Sequence, residues 1–348
     1  MNIGFLVNSI ETERSSYTTI RLALTAINRG HKVFMIGVAN LSVSQDEMIY
    51  ATSYVAAKNK YKTTKVLLND FKKSYSLKGQ IINLSDLDVL LLRNDPSNEP
   101  NSRSWAKDIG IDFGRLASRK GVIVLNDPNG LSNAMDKMYL MQFPEEVRPK
   151  TVISRNPDDI RKFARLHGKV VLKPLSGSGG RNVFLLRPDD LKNINQIIEA
   201  VSRDGYIMAQ EYLPEAAQGD IRLFMMNGLP LKYKGKYAAF KRVGNEEDLR
   251  SNVHVGGRVE RALMTDQIER VASIVRPKLA KDGMFLVGVD IVGDKILELN
   301  VFSPGGLGKA QSLEGVNFTY AVIKALEKKV EYMGYYNRKF DNNEMANL

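Results

Sequence analysis

The sequence predicts a mixed α/β (α+β) protein that begins with a parallel, Rossmann-like sheet and continues with antiparallel strands. Near the N-terminus, the apolar run "NIGFLV" is followed by the helical pattern "SSYTTIRLALTAINRG" and then by the run "KVFMIGV". Strands that alternate with helices are typical of parallel sheets. Further along, Asn227-Gly228 separates two strand-like runs, and this residue pair favours a tight antiparallel hairpin.

The composition narrows the functional class. The 348 residues are 43% hydrophobic and 26% charged, as in ordinary globular enzymes. The absence of cysteine excludes disulfides, thiolate metal sites and cysteine nucleophiles. No basic segment precedes the first apolar run, and no run approaches the roughly 20 residues of a membrane span. We therefore expect a cytoplasmic protein without a membrane partner.

The net charge of +11 has two interpretations. It fits a nucleic-acid surface or a cleft for anionic small molecules such as nucleotides. The basic residues are spread along the chain, and no aromatic-glycine RNA motif, zinc-finger spacing or basic arm is present. Small-molecule substrates are therefore the expected partners and nucleic acid is not, while a homo-oligomer is left open.

The early strands end in polar turns. The run "DVLLLRNDP" places Arg93 and Asp95 just beyond a strand, where ligands bind in parallel sheets. Both are candidate substrate contacts, although a polar turn ended by Pro96 explains them equally well. The following stretch "GLSNAMDKMYLMQF" has a helical pattern and carries Lys137.

A glycine loop follows in "VVLKPLSGSGGRNVFLL". Lys173 ends the strand, and the loop contains Ser176, Gly177, Ser178, Gly179 and Gly180. Glycines let successive N–H groups turn toward an anion, and a strand lysine beside them acts as a point charge on phosphates. The pattern predicts a phosphate site; a tight hairpin without a ligand is the alternative.

The stretch "MAQEYLP" is a strand that runs into an extended turn. Its backbone could hold a purine ring among Gln210, Glu211, Tyr212 and Leu213, and Asp220 is near enough in sequence to reach a ribose hydroxyl. A buried strand end explains the same residues.

The hairpin "GVDIVGDKILELN" predicts a metal site. Burial of its apolar residues favours a register that sets them on one face of the hairpin. These residues are all odd-numbered: Val287, Val289, Ile291, Leu297, Leu299 and Val301. Both arms keep that face only if the turn has an odd number of residues, such as Gly293-Asp294-Lys295. This register sets Asp290 opposite Glu298, with Asn300 on the same face. These oxygen ligands suit Mg²⁺; a solvated sheet face is the alternative.

Three arginines can bind anions through their forked donors. They are Arg222, Arg242 and Arg250. Arg250 lies in the polar, glycine-flanked stretch "GNEEDLRSNVHVGG", which we interpret as a mobile loop that closes over a reaction. His254 in the same loop is interpreted as a surface residue without a role.

The segment "SPGGLGKA" resembles a phosphate-binding loop only at its end. A Walker A motif reads G-x-x-x-x-G-K-[ST], whereas here Ser303 and Ala310 occupy its first and last positions. The segment follows Asn300 closely, so we interpret Ser303, Gly305 and Gly306 as substrate contacts. Lys309 either supplies a charge there or faces solvent at a helix start.

Together these features resemble the ATP-grasp ligases, and among them the bacterial glutathione synthetases. The resemblance runs from "NIGFLV" to about residue 330 and rests on ordered stretches, namely "LLRNDP", "LKPLSGSGG", "MAQEYLP", "GDIRLF", "LRSNVHVGGR" and "GVDIVGDKILELNVFSP". It implies an ATP- and Mg²⁺-dependent carboxylate–amine ligase, with Mn²⁺ as an alternative metal. In this class an acyl phosphate forms and an amine attacks it; for glutathione the acid is γ-glutamylcysteine and the amine is glycine.

The resemblance also implies a role for each candidate residue. The phosphates of ATP would contact Lys137, Lys173 and loop 176–180, the adenine residues 210–213, and the ribose Asp220. Two metal ions would bind Asp290, Glu298 and Asn300. Arg222, Arg242 and Arg250 would be catalytic. The substrates would contact Arg93, Asp95, Asn252, Ser303, Gly305 and Gly306.

The implied domains are an N-terminal substrate domain at 1–128, a small ATP-grasp subdomain at 129–205 and a large one at 206–335. The large one contains the mobile loop 242–257, and a disordered tail is expected at 336–348.

Two departures from the family pattern lie on the peptide-substrate side. Asn94 stands where relatives usually carry lysine, and "GGLGKAQ" stands where they tend to have threonine, then cysteine or glycine, then Ile-Arg-Glu. Two alternatives to glutathione synthesis therefore stay open. One is a ligase of the same fold with other amino-acid substrates, and the other is a nucleotide-binding protein without ligase activity.

Overall fold

The first sheet has the parallel core that the sequence predicts. A computed structural model describes residues 1–177, 182–203, 205–244, 258–337 and 340–348. The strands of this sheet are β1 (Asn2–Val7), β2 (Lys32–Val43), β3 (Ile49–Val55), β4 (Gln80–Asn83), β5 (Val89–Leu92) and β6 (Ile123–Leu125). Their order is β4-β3-β2-β1-β5-β6. β2, β1, β5 and β6 are parallel, whereas β3 and β4 extend the sheet antiparallel. The sequence pattern did not indicate these two strands.

Four helices accompany the first sheet. They are α1 (Thr18–Asn28), α2 (Thr64–Ser76), α3 (Ala106–Arg119) and α4 (Pro128–Asn133). The helix predicted before Gly30 is confirmed as α1. The helical pattern around Lys137 is interrupted, because α4 ends at Asn133 and residues 137–142 form a 3₁₀ turn. Asp136 caps this turn by accepting a hydrogen bond from the Met138 N–H, so a local side chain restarts the backbone there.

The second sheet is antiparallel and has its own core. Its strands are β7 (Thr151–Ser154), β8 (Val170–Pro174), β9 (Phe184–Leu186) and β10 (Ile207–Glu211), and they lie in the order β7-β10-β8-β9. Helices α5 (Pro157–His167) and α6 (Ile194–Ser202) accompany it. Its buried apolar side chains, from Ile160 to Ala209, form a cluster separate from the rest of the core.

The third sheet is antiparallel and carries most of the candidate catalytic residues. Its strands are β11 (Asp220–Met226), β12 (Leu229–Pro230), β15 (Ala239–Val243), β16 (Arg258–Arg261), β17 (Leu286–Val292) and β18 (Lys295–Asn300). A separate ribbon joins β13 (Lys232–Tyr233) to β14 (Lys236–Tyr237), and the helices are α7 (Asp266–Lys281), α8 (Leu307–Glu314) and α9 (Phe318–Tyr335). The predicted Asn227-Gly228 turn is confirmed: Met226 pairs with Leu229, and both turn residues have positive φ.

The β17–β18 hairpin keeps the predicted pairing through a different turn. Val292 pairs with Lys295, so the turn contains only Gly293 and Asp294, and the expected three-residue turn is wrong. A β-bulge then inserts Leu297, and beyond it Asp290 pairs with Glu298 as predicted. The bulge supplies the extra residue that the longer turn would have supplied. Consequently Ile296 enters the core, while Leu297 lines a cleft.

The C-terminal residues are docked, which corrects the expectation of a disordered tail over 336–348. Helix α10 (Asn342–Asn347) begins with a capping box between Asp341 and Glu344. Met345 and Ala346 are fully buried, and the Nζ of Lys329 donates to both of their carbonyl oxygens. The sequence pattern indicates a disordered polar end because the groups that hold these residues, such as Lys329, are distant from them in sequence.

The first and third sheets share their core. A single cluster of buried side chains includes Leu90 and Val124 from the first sheet together with Val287 and Ile291 from the third. The Asn126 side chain also bridges the two sheets, since its amide pairs with the backbone N–H and carbonyl of Leu286. Among the described residues, no helix is both long and apolar enough to cross a bilayer.

Candidate active site

A cleft gathers predicted residues from distant parts of the chain. It opens among the turn after β5, the 3₁₀ turn at 137–142, the loop after β8 and strand β18. Six of the predicted site residues line it: Asp95, Lys137, Gly177, Glu298, Asn300 and Ser303. The loop residue Gly177 has a φ of +97°, a conformation that favours glycine.

Lys137 and Glu298 line this cleft, and Lys173 lies near both of them. The Nζ of Lys137 donates to the carbonyls of Leu175 at 3.1 Å and Gly177 at 2.8 Å, and so it is fastened to the glycine loop. Burial lowers the pKa of Lys137, and the nearby Glu298 opposes the shift. Burial also lowers the pKa of Lys173 to about 8; Glu298 opposes this change and Lys137 adds to it. Two desolvated cations beside one another favour a polyanion.

The end of β10 presents the segment predicted to hold a purine. The Glu211 N–H donates to the Lys150 carbonyl, and the Tyr212 N–H donates to the Lys169 carbonyl. The ammonium of Lys169 lies 3.6 Å from the centre of the Tyr212 ring. Gln210 is buried and its Nε2 donates to Thr151. Because these N–H groups are already paired, neither of them is free to donate to a ring bound here.

A row of charged side chains crosses three strands of the third sheet. Arg222 lies opposite Asp290, and Asp220 lies opposite Arg242. Asp220 and Arg222 are two residues apart on β11 and therefore share a face. Hydrogen-bonded pairing across the strands then sets all four side chains, with Glu298, on one surface of the sheet.

Asp290 is the centre of this row. Its carboxylate accepts hydrogen bonds from the Nε and Nη2 of Arg222, and the Nη2 of Arg242 lies 2.8 Å from its Oδ2. The Asn300 amide donates to the same oxygen at 3.3 Å. Burial alone would raise the pKa of Asp290, but Arg222 and Arg242 hold it below its ordinary value. Arg242 also binds Asp220. The row therefore combines fixed cations with carboxylate oxygens.

The predicted substrate side is built around residues 303–309. The buried Arg93 donates from Nε to Thr19 and from Nη2 to the Pro304 carbonyl. Burial lowers the pKa of Arg93 to about 10, and the nearby carboxylates of Glu13 and Asp95 oppose this shift. The Gly305 carbonyl accepts a hydrogen bond from Arg222 at 3.2 Å.

Lys309 and Asn94, the two positions where the sequence left a question on the substrate side, differ in burial. Lys309 is half-buried; burial lowers its pKa, and the neighbouring charges of Arg242 and Arg222 lower it further. Its half-buried position beside two arginines differs from that of a lysine that faces solvent at a helix start. Asn94 is buried with its amide against Gly110 of α3.

Several predicted residues lie outside the part of the chain that the structure describes. They are Ser178, Gly179, Gly180, Arg250, Asn252 and His254. Their predicted roles stay predictions.

Comparison with known proteins decides the family. Residues 1–132 match the model of the prokaryotic glutathione synthetase N-terminal domain, and residues 136–315 match that of the ATP-grasp domain of the same enzymes. A glutathione synthetase from Gloeobacter violaceus is 34% identical over 95% of this chain and 97% of its own length. One from Synechocystis is 32% identical over 94% of this chain and 100% of its own. The chain belongs to the prokaryotic glutathione synthetase family.

Solved structures show that this glutathione synthetase family member has the ATP-grasp fold. The ATP-grasp ligase PsnB, with a phosphomimetic precursor variant, Mg and ADP, aligns with a TM-score of 0.61 and 16% identity over 94% of this chain and 98% of its own. The D-cycloserine synthetase DcsG aligns with a TM-score of 0.60 and 14% identity over 93% and 99%. As a member of its family, the chain is an ATP-dependent ligase that uses ATP with a divalent metal.

The side chains in and beside the cleft have the chemistry that a nucleotide and a metal require. Lys137, Glu298 and Asn300 line the cleft, and Lys173 lies near Lys137 and Glu298. Cations beside carboxylate and amide oxygens are the groups that suit phosphates and a divalent metal. Most of the hydrogen-bonding capacity of Asp290 is taken by arginines. Mg²⁺ commonly takes most of its ligands from water and phosphates, so a set with few free protein oxygens suits it.

Sequence reasoning missed two charged residues near the substrate side. Glu13 is 8% exposed, and its Oε2 has no hydrogen-bond partner among the described residues. Burial raises the pKa of Glu13 to about 7, although the positive charges of Arg93 and Lys72 oppose this shift. Arg21, on α1, packs against Gly308. The stretch "ETERSSYTTIR" carries no recognisable motif, so only the fold reveals that its polar residues meet the loop at 303–309.

Proposed function

We propose that the protein is a glutathione synthetase, which joins γ-glutamylcysteine to glycine with conversion of ATP to ADP and phosphate. The observation that supports this most directly is the cleft itself. Lys173 lies near Lys137 and Glu298 and near Asp290 of the Arg222–Asp290–Arg242 row, and Arg222 of that row donates to the Gly305 carbonyl. A phosphate site thus continues into a cationic substrate site.

ATP, when bound, supplies the phosphoryl group that converts the substrate carboxylate into an acyl phosphate, and the divalent metal offsets charge on its phosphates. Lys137 and Lys173 bind those phosphates, together with the loop at 176–180. The turn at 210–213 holds the adenine and Asp220 the ribose. Asp290, Glu298 and Asn300 are the proposed metal ligands, with Mg²⁺ as the metal. No protein nucleophile takes part in this scheme.

Arg222 and Arg242 stabilise the reacting atoms. Asp290 holds both guanidinium groups in fixed positions before any substrate binds, and preorganised charges of this kind lower the barrier without reorganisation. The glycine nitrogen attacks the acyl carbon, the bond to the phosphate oxygen breaks, and the nitrogen loses a proton. Arg250 and Asn252 are proposed to join from the loop, and Arg93, Asp95, Ser303, Gly305 and Gly306 to contact the peptide substrates.

ADP release across a panel of acids and amines tests the proposal. We expect γ-glutamylcysteine with glycine to give the highest kcat/KM, and mass spectrometry to detect glutathione. Faster turnover of another acid–amine pair would overturn the substrate assignment and leave the ligase class. A protein that binds ATP but releases no ADP with any pair would overturn the proposed reaction as well.

A further inference from the structure

The first turns of α1 and α8 meet at Gly308. A Cβ added to Gly308 would lie 2.2 Å from the Nε of Arg21, 2.6 Å from its Cζ and 2.8 Å from its Cδ. The start of the guanidinium group therefore lies directly over the glycine backbone. Any side chain at position 308 would occupy the same space, and this explains why a residue without Cβ stands there.

Two polar groups on this face of α1 are buried without a partner. The Nε of Arg21 and the Oγ1 of Thr18 have no hydrogen bond, and Thr18 is 2% exposed. The residues are three apart on a helix and thus adjacent on its surface. Within the described residues, Arg21 makes no ion pair, whereas Arg29 at the end of the same helix binds Glu327 through two hydrogen bonds. Buried polar groups nearly always have a partner, so the Arg21 face lacks one.

The surroundings select an anion as that partner. Arg93 donates to Pro304, Arg222 donates to Gly305, and Lys309 carries a pKa lowered by burial and by adjacent arginines. The nearby carboxylate Asp290 is already bound by Arg222 and Arg242. Of the three cations that border the segment from 304 to 309, Arg93 faces Glu13 and Asp95 and Arg222 is bound by Asp290, whereas the charges acting on Lys309 are those of Arg242 and Arg222.

We propose that Arg21 and Thr18 bind the carboxylate of an amino-acid substrate that does not react, on the side of the Arg21 guanidinium that faces away from Gly308. The inference rests on the proposed function for the identity of the substrates. Gly308 lies three residues after Gly305, which contacts Arg222, so at most ~10 Å of backbone separates the Gly305 contact from the Arg21 contact. Both substrates carry such a carboxylate: the glutamyl head of γ-glutamylcysteine and the carboxylate of glycine.

A four-protein cycle tests this placement with wild type, Arg21→Ala, Gly308→Arg and the double variant. Arg21→Ala should raise the KM of one substrate about 10- to 100-fold, the loss expected for a hydrogen bond to a charged group. The KM of ATP should stay within twofold. The affected substrate identifies the source of the carboxylate. Gly308→Arg should also lose activity, because its side chain collides with Arg21.

The double variant is the decisive member of the cycle. With Arg21 removed, an arginine at 308 enters the vacated space from the opposite side, so KM should return to within about tenfold of wild type. Arg21→Lys should recover part of the affinity, and Arg14→Ala, which removes an exposed charge from the preceding loop, should change neither KM. An unchanged KM for both substrates in Arg21→Ala, or a double variant no better than the worse single one, overturns the inference.

Two further measurements separate failure of this inference from failure of the proposed function. Calorimetric titration of ADP-loaded protein with glutathione should show at least tenfold weaker binding in Arg21→Ala, and thermal unfolding should show that the variant is folded. If wild type neither releases ADP with γ-glutamylcysteine and glycine nor binds glutathione, the proposed function is wrong. The cycle is then decided with the acid–amine pair that the panel identifies.

Discussion

Glu298 is the carboxylate whose removal tests the metal assignment most directly. It lines the cleft, it faces Lys137 and Lys173, and it lies opposite Asp290 across the hairpin. Glu298→Gln keeps the shape but removes the charge that a divalent cation requires. We expect the rate of ADP formation to fall by at least ~100-fold, as for other preorganised electrostatic contacts, and the Mg²⁺ concentration needed for half-maximal rate to rise.

The same hairpin offers the control. Asp294 lies in the turn, its side chain is half-exposed, and among the described residues it pairs with Lys295. Asp294→Asn should therefore leave the rate and the Mg²⁺ dependence within about twofold of wild type. ADP formation that persists unchanged in Glu298→Gln would show that Glu298 does not hold the metal.

Glu13 should make stability depend on pH. Burial raises its folded-state pKa from 4.5 to about 7, so the folded protein binds this proton more tightly than the unfolded chain. The unfolding free energy should therefore fall as pH rises from about 4.5 to 7, by up to about 3 kcal/mol, and stay lower above that range. Urea unfolding at several pH values should show that Glu13→Gln loses this component, while Glu47→Gln on an exposed turn keeps it. Parallel curves for Glu13→Gln and wild type would contradict the assignment.

At the level of elements, the β17–β18 hairpin shows what periodicity can determine. The apolar alternation correctly predicts that Asp290 and Glu298 are paired, because burial strongly penalises the other register. It does not determine how the pairing is reached, since a bulge at Leu297 with a two-residue turn and a three-residue turn give the same partners. Periodicity therefore located the Asp290–Glu298 pairing correctly and misassigned one apolar residue, Leu297, to the core.

Helix α10 should stabilise the edge of the first sheet. Asn342 accepts a hydrogen bond from the Val124 N–H at 2.7 Å and donates to the Val124 carbonyl at 2.8 Å, so its amide takes the place of a neighbouring strand along β6. Asn342→Ala leaves these partly buried backbone groups unpaired. We expect a loss of about 2 kcal/mol in unfolding free energy, measured by urea denaturation.

Asn343 provides the comparison for this helix. Its side chain donates to the Lys281 carbonyl at an exposed position, so Asn343→Ala should cost less than about 1 kcal/mol. Equal losses for the two variants would mean that the contact with β6 contributes nothing specific.

Across the whole molecule, sequence reasoning succeeded where local pattern carries the information. Alternating runs predicted the parallel core, and Gly177 of the glycine loop lines the same cleft as the "LELN" strand. Sequence reasoning failed where contacts between distant segments determine the structure. Helix α10 is held by Lys329 and β6, and the position of Arg21 becomes informative only once Gly308 is seen to pack beneath it. The boundaries at 128 and 205 stay predictions; the separate core of the second sheet includes Ile207 and Ala209, which follow the expected end of the small subdomain at 205.

The junction between the first and third sheets should control both stability and turnover. Gly130 in α4 packs so tightly that an added Cβ would lie 1.8 Å from the Asp282 carbonyl oxygen, which follows α7. The adjacent Asp127 N–H donates to the Gly283 carbonyl at 3.0 Å. Gly130→Ala must push these segments apart, which should cost about 1–3 kcal/mol of unfolding free energy.

Gly130→Ala should also displace the residues that line the cleft, because the walls of the cleft come from both sides of this junction. Displacements of about 1 Å can cost ~100-fold in rate, so we expect kcat for ADP release in Gly130→Ala to fall by about tenfold or more at temperatures where the variant is folded. Gly334→Ala is the matched control: it lies in α9 with nothing within 4 Å of an added Cβ. This change should stabilise the helix by up to about 1 kcal/mol and leave kcat unchanged. Wild-type stability and kcat in Gly130→Ala would show that the two sheets adjust independently at this contact, and that the cleft does not depend on their close approach.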